Sequence, residues 1–293
     1  MPNEAYVLIT AAHNEEAYIE ATIRSVLCQS VRPLRWVIVS DASTDRTDEV
    51  VRKYASENVF IKLVRLDGSH HSNFAAKVHA IKAGYDSLKD LQYGFVGILD
   101  ADISLESLYY SELLNKFRED PKLGLTGGFI YEARGGMFTG RRSNRTRSVA
   151  GALQLFRREC YEAIGGILPL RYGGEDWCAE VSARMKGWTV RASRELKALH
   201  HRATGTTDSL LRYWFQQGRM DFSLGCLPMF ELVKCAIRLR EKPVVLGGLA
   251  RLGGFAWSYC VKTERPVSEE FVRFLRREQK QRLIPILSRD CHE

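Results

Sequence analysis

The sequence predicts an α/β fold with a mostly parallel, Rossmann-like central sheet flanked by helices. Short apolar runs alternate with segments of helical periodicity over the first hundred residues. This alternation is typical of strand–helix–strand units with right-handed crossovers. The chain has 293 residues, of which 45% are hydrophobic and 27% charged, so it can form one large domain or two small ones with a sizeable core.

The elements of the first half follow in a regular order. The apolar runs predict strands, and the 3.6-residue periodicity predicts helices. The predicted strands cover residues 6–10, 36–39, 60–64 and 95–99, and the predicted helices cover 19–27, 45–54 and 73–88. Asp41 and Ser43 are the expected turn and N-cap residues before the second helix. No Gly-x-Gly-x-x-Gly motif follows the first strand, which argues against a dinucleotide site.

The pattern changes after residue 102. A helix is predicted over 105–117, strands over 123–131 and 150–156, a short helix over 158–164, a helix opened by GGEDW (173–177), and extended segments over 189–192 and 196–199. The glycine- and arginine-rich residues 135–148 are expected to form a mobile loop. The remainder is expected to be mainly helical.

The stretch GFVGILDAD, residues 94–102, is the most informative part of the chain. A buried parallel strand delivers Asp100 and Asp102 to the carboxyl edge of the sheet, where open α/β folds bind ligands. No cationic residue lies nearby in sequence, so the pair is a natural seat for a hard divalent cation. The alternative is a helix cap and a solvated turn acid, because Asp-x-Asp is common by chance.

The net charge of +8 is unevenly distributed. Residues 134–158 contain seven arginines and no acid, and residues 232–282 contain twelve Lys or Arg against five Glu. The two basic blocks favour an anionic partner, either phosphates, a membrane surface or nucleic acid, unless they are ordinary solvated helix faces. Because they lack clustered aromatic residues and a recognition motif, we expect no nucleic-acid partner.

Cysteine usage and the N-terminus favour a cytoplasmic setting. The seven cysteines are scattered without a Cys-x-x-Cys motif, which fits reduced thiols better than disulfides or a zinc site. The first residues lack the cationic and apolar regions of a signal peptide.

Residues 242–262 are nearly uncharged and about long enough to span a bilayer. However, Arg251 lies in the middle and four glycines interrupt the segment, and a central charge is costly in a spanning helix. We expect instead an amphipathic segment at a membrane interface, with Trp257 and Tyr259 as anchors, or a segment packed on the domain.

Six motifs in order make the chain similar to family 2 glycosyltransferases: ITAAHNEEAYI, VIVSDASTD, GILDAD, ALQLFRRECYEAIGGI, GGEDW and HHR. The resemblance covers roughly residues 5–220. It implies the GT-A fold and inverting transfer from a nucleotide-sugar donor, as in enzymes that build bacterial surface polysaccharides. It also implies a nucleotide-sugar-binding half over 1–102, an acceptor-binding and catalytic half over 103–220, and a helical C-terminal extension over 221–293 that is a candidate for membrane association.

The resemblance assigns the donor site to residues on several loops: Ala11, His13, Glu15, Asp41, Lys77, Asp100, Ala101 and Arg202. The family often has two consecutive acids where this chain has Ser40-Asp41, so the base contacts are expected to differ. Lys77 could equally be a solvated helix lysine. Arg202 could hold a phosphate oxygen as a bidentate donor.

The resemblance places a divalent metal, Mn²⁺ or Mg²⁺, on Asp102, with Asp100 beside the ribose or a metal-bound water. A metal there would act as a Lewis acid on the leaving diphosphate. One histidine of His200 and His201 is expected to complete this site, with a slight preference for His200. The other histidine would then be a surface residue.

Glu175 and Asp176 form the second carboxylate pair, and the resemblance makes Asp176 the catalytic base. A sugar hydroxyl is a poor nucleophile, so transfer needs a base to deprotonate it. The alternative is that both acids stabilise a helix N-terminus. The sequence Gln216-Gln217-Gly218-Arg219 is close to the Gln-x-x-Arg-Trp signature of processive synthases, but Met220 replaces the tryptophan, which favours a non-processive enzyme.

The expected function is therefore metal-assisted transfer from a UDP-sugar to a lipid-linked or polysaccharide acceptor, at the inner face of the plasma membrane. A GDP-mannose-dependent mannosyltransferase is the alternative within this class. A catalytically inactive protein that binds a nucleotide sugar or another anion is the alternative of a different class.

Overall fold

A computed structural model describes residues 4–68, 75–134, 137–202, 210–238 and 244–289. Within these ranges the chain divides into two compact units. The first contains the described residues up to 171 together with 175–202, and the second contains 172–174 together with the described residues from 210 onward.

The first half of the first unit is the predicted parallel α/β arrangement. Its elements are β1 (Tyr6–Ala12), α1 (Ile19–Leu27), β2 (Arg35–Asp41), α2 (Thr47–Glu57), β3 (Ile61–Leu66), α3 (Ala75–Asp86) and β4 (Phe95–Leu99). The strands lie in the order β3-β2-β1-β4, and every neighbouring pair is parallel. β1, β2 and β4 are buried along most of their length, which is typical of parallel strands covered by helices on both faces.

The second half adds strands of both directions to the same sheet. Its elements are β5 (Ile103–Leu105), α4 (Tyr109–Glu119), β6 (Leu123–Arg134), β7 (Met137–Gly140), β8 (Leu153–Arg157), α5 (Arg158–Ala163), α6 (Glu175–Met185) and β9 (Thr189–His200). The sheet continues β4-β8-β6-β9-β5, with β7 paired to β6. β8 is antiparallel to β4 and β6, and β9 is parallel to β6 and antiparallel to β5. Thus β5, β7 and β8 run against the other strands, and the predicted α/β class holds with a mixed sheet.

Local details differ from the expectations in three places. The helix expected over 105–117 begins only at Tyr109, because Leu105 ends a strand that pairs with β9. The basic stretch expected to be a loop contains β7, which forms a hairpin with the end of β6. Ser43 does not cap α2, and instead Asp45 accepts the Thr47 N–H at 3.0 Å. The remaining strand and helix expectations are close to the observed bounds, and 73–74 lie outside the described residues.

One core joins the two halves of the sheet. Its largest fully buried side chains include Trp36, Tyr6, Tyr109 and Phe156. Gly84 lets α3 pack closely on the sheet, because a Cβ there would lie 2.6 Å from a methyl of Ile9. This close approach holds α3 against β1, and α3 carries Lys77.

The second unit is helical in its described residues and is built around buried charges. Its helices are α7 (Leu210–Ser223), α8 (Pro228–Arg238), α9 (Leu246–Cys260) and α10 (Glu269–Arg289). The Arg251 guanidinium contacts the carboxylates of Asp221 and Glu231, and Lys234 Nζ lies 2.8 Å from an oxygen of each. The charge of Arg251 is therefore compensated by contacts within the unit. Among the described helices, none is long and apolar enough to cross a membrane.

We expect Arg251→Ala to lower the free energy of unfolding by about 3–5 kcal/mol, because removal of one partner leaves buried carboxylates short of counter-charge. Chemical denaturation measures this loss. The matched control is Arg273→Ala, whose exposed pair with Glu269 contributes less than about 1 kcal/mol. Equal stability losses in the two variants would contradict the proposed importance of the buried cluster.

Candidate functional site

A cleft of about 520 Å³ lies at the carboxyl edge of the parallel strands in the first unit. It is lined by residues at the ends of β1, β2 and β4, by α3, and by Arg202, which follows β9. The lining residues are Ala11, Ala12, His13, Glu15, Asp41, Ala42, Gly68, Ala76, Lys77, Ala80, Asp100, Ala101, Asp102 and Arg202. Every residue that the sequence assigned to the donor therefore lies on one cavity, although its role there stays a prediction.

The loops after β1 and β2 are held together by polar contacts. His13 Nδ1 lies 2.6 Å from the backbone oxygen of Asp41, and Asn14 Oδ1 accepts the Thr44 N–H at 2.8 Å. The Glu15 N–H donates to Thr47 Oγ1 at 2.7 Å. These contacts fix one wall of the cleft, and Asn14 and Thr47 were not singled out from the sequence. The AHNEE and DASTD segments contain many short side chains that bond to backbone, which was the available signal.

Asp100 is paired with a cation from a distant element. Lys77 Nζ lies 2.6 Å from Asp100 Oδ1. Burial disfavours the Lys77 ammonium, but Asp100, and then Glu175 and Asp176, outweigh it and raise the Lys77 pKa. The expectation that this carboxylate lacks compensation is wrong, because α3 brings Lys77 to it. The same coupling shows that the second carboxylate pair lies within electrostatic reach of Lys77.

Asp102 is held by the residues after β9. His200 Nε2 lies 3.1 Å from Asp102 Oδ2, and Arg202 Nε lies 3.6 Å from the same oxygen. Burial acts to raise the Asp102 pKa, but the hydrogen bond and charge of His200, with help from Arg202, lower it overall. The pairing of β5 with β9 produces this contact, since His200 is the register partner of Ile103.

His201 has different surroundings. Its Nε2 lies 2.7 Å from Ser104 Oγ, and its ring packs edge-on against Phe138. Burial lowers the His201 pKa. The structure therefore brings His200, and not the imidazole of His201, against the Asp102 carboxylate.

Glu15 is the second acid beside Asp102. Its carboxylate accepts from Arg202, and Arg202 also lies over the Tyr18 ring. Burial raises the Glu15 pKa to about 7; Arg202 opposes this shift, while Asp102 and Asp100 add to it. Arg202 thus bridges two acids that line the cleft.

The metal-coordinating atoms of the cleft suit an ion that is also coordinated by a bound phosphate ligand. Among the described residues, no group of three or more His, Cys, Asp or Glu side chains is arranged to hold a metal ion. Asp102 supplies a carboxylate oxygen, which suits Mg²⁺ or Mn²⁺, and the His200 imidazole nitrogen lies 3.1 Å from that oxygen. Such ions commonly take one or two protein ligands and complete their shell with phosphate oxygens and water. Asp102 and His200 fit that role, whereas Asp100 is engaged by Lys77.

Asp176 lies in the first turn of α6 and is fixed by backbone donors. The Gly151 N–H donates to Asp176 Oδ2 at 3.1 Å, and the Trp177 N–H donates to Oδ1 at 2.7 Å. Burial is the main cause of a raised pKa at neighbouring Glu175. The geometry therefore fits the alternative that both acids stabilise the N-terminus of α6. That role is compatible with Asp176 also acting as a base.

Glu180, which the sequence analysis missed, supports the loop that holds Asp176. Its Oε1 accepts from the Val149 N–H at 2.7 Å and from Ser148 Oγ at 2.9 Å. Burial raises the Glu180 pKa to about 7. The signal in the sequence was its place one helical turn after Asp176, on the same face of α6.

The chain matches the family model for glycosyl transferase family 2 over residues 7–215. It belongs to this family. A poly-β-1,6-N-acetyl-D-glucosamine synthase of Staphylococcus aureus is 32% identical over 127 residues, which cover 43% of this chain and 28% of the relative. The synthase of Staphylococcus epidermidis is 27% identical over 125 residues, with the same coverage. The chain thus matches less than a third of the length of these relatives.

Solved structures show the same fold. S. aureus TarS 1-349 in complex with UDP aligns with a TM-score of 0.55 and 14% identity, covering 88% of this chain and 72% of that one. The mannosyltransferase PcManGT from Pyrobaculum calidifontis, in complex with GDP-Man and Mn²⁺, aligns with a TM-score of 0.54 and 18% identity, covering 97% and 83%. The predicted family and fold are confirmed.

We expect Gly151→Ala to lower turnover by about a hundredfold, because a Cβ at residue 151 would lie 2.9 Å from Asp176 Cβ and displace that side chain. Steady-state kinetics with the donor in excess measures the effect. Gly140→Ala is the matched control, since its Cβ would meet nothing closer than 3.6 Å. Normal turnover by Gly151→Ala would show that the position of Asp176 is not critical.

The raised Glu180 pKa predicts a pH-dependent stability difference. Between pH 4.5 and about 7 the native state holds a proton on Glu180 that the unfolded chain has lost, so native stability falls as pH rises through this window. Glu180→Gln cannot ionise and lacks this fall. We measure the free energy of unfolding by denaturation at pH 5 and at pH 8. The value for the variant, relative to that of the parent, should be higher at pH 8 than at pH 5. A difference that is constant with pH would contradict the raised pKa.

Proposed function

We propose that the protein is an inverting glycosyltransferase that moves a sugar from a nucleotide-diphosphate sugar to a hydroxyl of a lipid-linked or polysaccharide acceptor. The observation that carries this proposal is the convergence of Asp100, Asp102, Lys77 and Arg202 on one cleft, with Asp176 within electrostatic reach of Lys77. Family membership supports it independently.

The cleft residues fit the needs of a diphosphate leaving group. Negative charge grows on the diphosphate as the bond to the sugar breaks, and fixed cations stabilise that charge. Lys77 and Arg202 are the cations that line the described cleft. A divalent ion held by Asp102 and His200, when bound, would supply Lewis-acid stabilisation of the same group. Neighbours crystallised with Mn²⁺ support this part of the proposal.

Asp176 is the proposed general base. Its two backbone hydrogen bonds hold the carboxylate in one orientation, so it can accept the proton of an acceptor hydroxyl as that oxygen attacks the sugar. Glu175 would bind the acceptor or modulate the charge of Asp176. A single displacement from the face opposite the leaving group inverts the anomeric carbon.

A UDP-sugar is the preferred donor in this proposal. TarS was crystallised with UDP-GlcNAc, and the matched staphylococcal relatives are synthases of an N-acetylglucosamine polymer. GDP-mannose is the alternative, supported by the likeness to PcManGT. The free thiols of the described cysteines fit a reduced, cytoplasmic setting.

We expect Asp176→Asn to lower transfer by about 10²–10⁴-fold, because an amide cannot accept the hydroxyl proton. Nucleotide affinity, measured by calorimetry on the same sample, should stay unchanged. Asp86→Asn, on the surface of α3, is the matched control. Turnover by Asp176→Asn at the parental rate would exclude it as the base.

We expect UDP to raise the melting temperature, and Mn²⁺ to increase that shift, because a ligand bound only to the native state stabilises it by about 2.7 kcal/mol at a hundred times its Kd. Asp102→Asn should remove the manganese-dependent part and keep a part due to Lys77 and Arg202. Stabilisation by GDP and not by UDP would replace the donor preference with the mannosyl alternative.

A further inference from the structure

The helix α8 in the second unit has an inverted distribution of polar and apolar residues. Its buried side carries Glu231 and Cys235, and Lys234 is largely enclosed as well. Its exposed side carries Met229, Leu232 and Ile237, which are 56%, 47% and 62% exposed. A helix on a water-soluble protein normally directs its apolar stripe to the core, so α8 has its charged face where its apolar face belongs.

The neighbouring helix α9 shows the same inversion. Leu246, Leu249, Trp257 and Tyr259 are each more than half exposed. Arg251, Ser258 and three glycines are buried, and Phe255 is the large apolar residue on that side. Among the side chains that α9 exposes, none is charged.

The interior of this unit packs as helices do in an apolar medium. At Gly218 a Cβ would lie 1.9 Å from the backbone oxygen of Arg251, and at Gly254 it would lie 1.9 Å from that of Phe215. α7 and α9 therefore touch backbone to backbone through small residues. Small residues at the contact, polar side chains paired inside and apolar side chains outside are the arrangement of helices that face lipid.

The charged residues next to these apolar side chains indicate what kind of partner surface would bind them. The one acid of α8 and α9, Glu231, is buried in the ion cluster. Lys262, two residues after the end of α9, is exposed, and Arg238 ends α8. The sequence between the two helices contains Arg240 and Lys242 against Glu241. Apolar residues bordered by basic ones complement a bilayer with anionic headgroups.

We infer that the exposed faces of α8 and α9 form a docking surface for an anionic lipid bilayer. Their apolar side chains enter the bilayer, and neither helix crosses it. Trp257 and Tyr259 suit the headgroup level, where amphipathic rings are favoured. Such docking would hold the protein at the surface where a lipid-linked acceptor resides, and this consequence rests on the proposed function. The binding itself can be tested without any transfer assay.

The test is flotation of the full chain with vesicles of phosphatidylcholine alone or mixed with phosphatidylglycerol. We expect binding to the mixed vesicles, weaker binding to the neutral ones, and loss of binding at high salt. Leu249→Glu and Trp257→Glu should each lower the partition coefficient by about tenfold or more, because each removes an inserted apolar side chain. Val59→Glu, at a residue 89% exposed in the first unit, is the matched control and should bind as the parent does.

Three results would overturn the inference. The first is no binding of the parent chain to either vesicle, and the second is equal binding by the parent and both glutamate variants. The third is a dimer in light scattering that Leu249→Glu dissociates without any vesicle binding, which would assign these faces to a second copy. The melting-temperature shift with UDP, measured on the same variants, should be unchanged. Failure of vesicle binding with an intact UDP shift would therefore reject the docking surface and leave the proposed function standing.

Discussion

The first unit is organised by the need to compensate carboxylates that its strands bring to one edge. Glu15, Asp100 and Asp102 all line one cleft, and like charges so close cannot all stay ionised without nearby cations. Lys77 compensates Asp100 and Arg202 compensates Asp102, while His200 lies within hydrogen-bond distance of the Asp102 carboxylate. Glu15 shares Arg202 with Asp102, and burial, with added repulsion from Asp102 and Asp100, raises the pKa of Glu15 to about 7. The same cations are the groups that a diphosphate would meet on entering.

The second unit meets a related constraint in a different way. Its acids Asp221 and Glu231 are buried with Arg251 and Lys234, so the charges are satisfied inside a helical unit. This leaves the outer sides of α8 and α9 to apolar residues. The ion cluster and the exposed apolar faces are therefore two consequences of one inverted sequence pattern.

Local pattern is sufficient for most elements, whereas the candidate donor residues of the cleft came from the resemblance to family 2 glycosyltransferases. The strands β1, β2 and β4 are visible as short apolar runs, because each is buried along most of its length and contains few polar residues. The sequence does not reveal the strand β5 or the hairpin strand β7, because three or four residues carry no readable period. The pairing partner of β5, the end of β9, also lies far away in the chain. Strand register was equally hidden, and only the pairing of Ile103 with His200 separates that histidine from His201.

The contacts that compensate charge could not be predicted either. Lys77 and Asp100 are 23 positions apart, and nothing local links them until α3 packs on β1. In the sequence, Arg251 is only a charge that interrupts an apolar segment, whereas the tertiary structure pairs it with Asp221 and Glu231 from two other helices. Glu180 escaped notice because its partners, Ser148 and Val149, lie in a loop some thirty residues earlier.

We propose that the carboxyl edge of the sheet binds a nucleoside diphosphate together with a divalent ion. Anomalous diffraction from crystals grown with UDP and Mn²⁺ tests it most directly. We predict one manganese peak within coordination distance of an oxygen of Asp102 and of the His200 imidazole, with the diphosphate beside Lys77 and Arg202. A diphosphate bound outside this cleft, or manganese bound away from Asp102, would contradict the account.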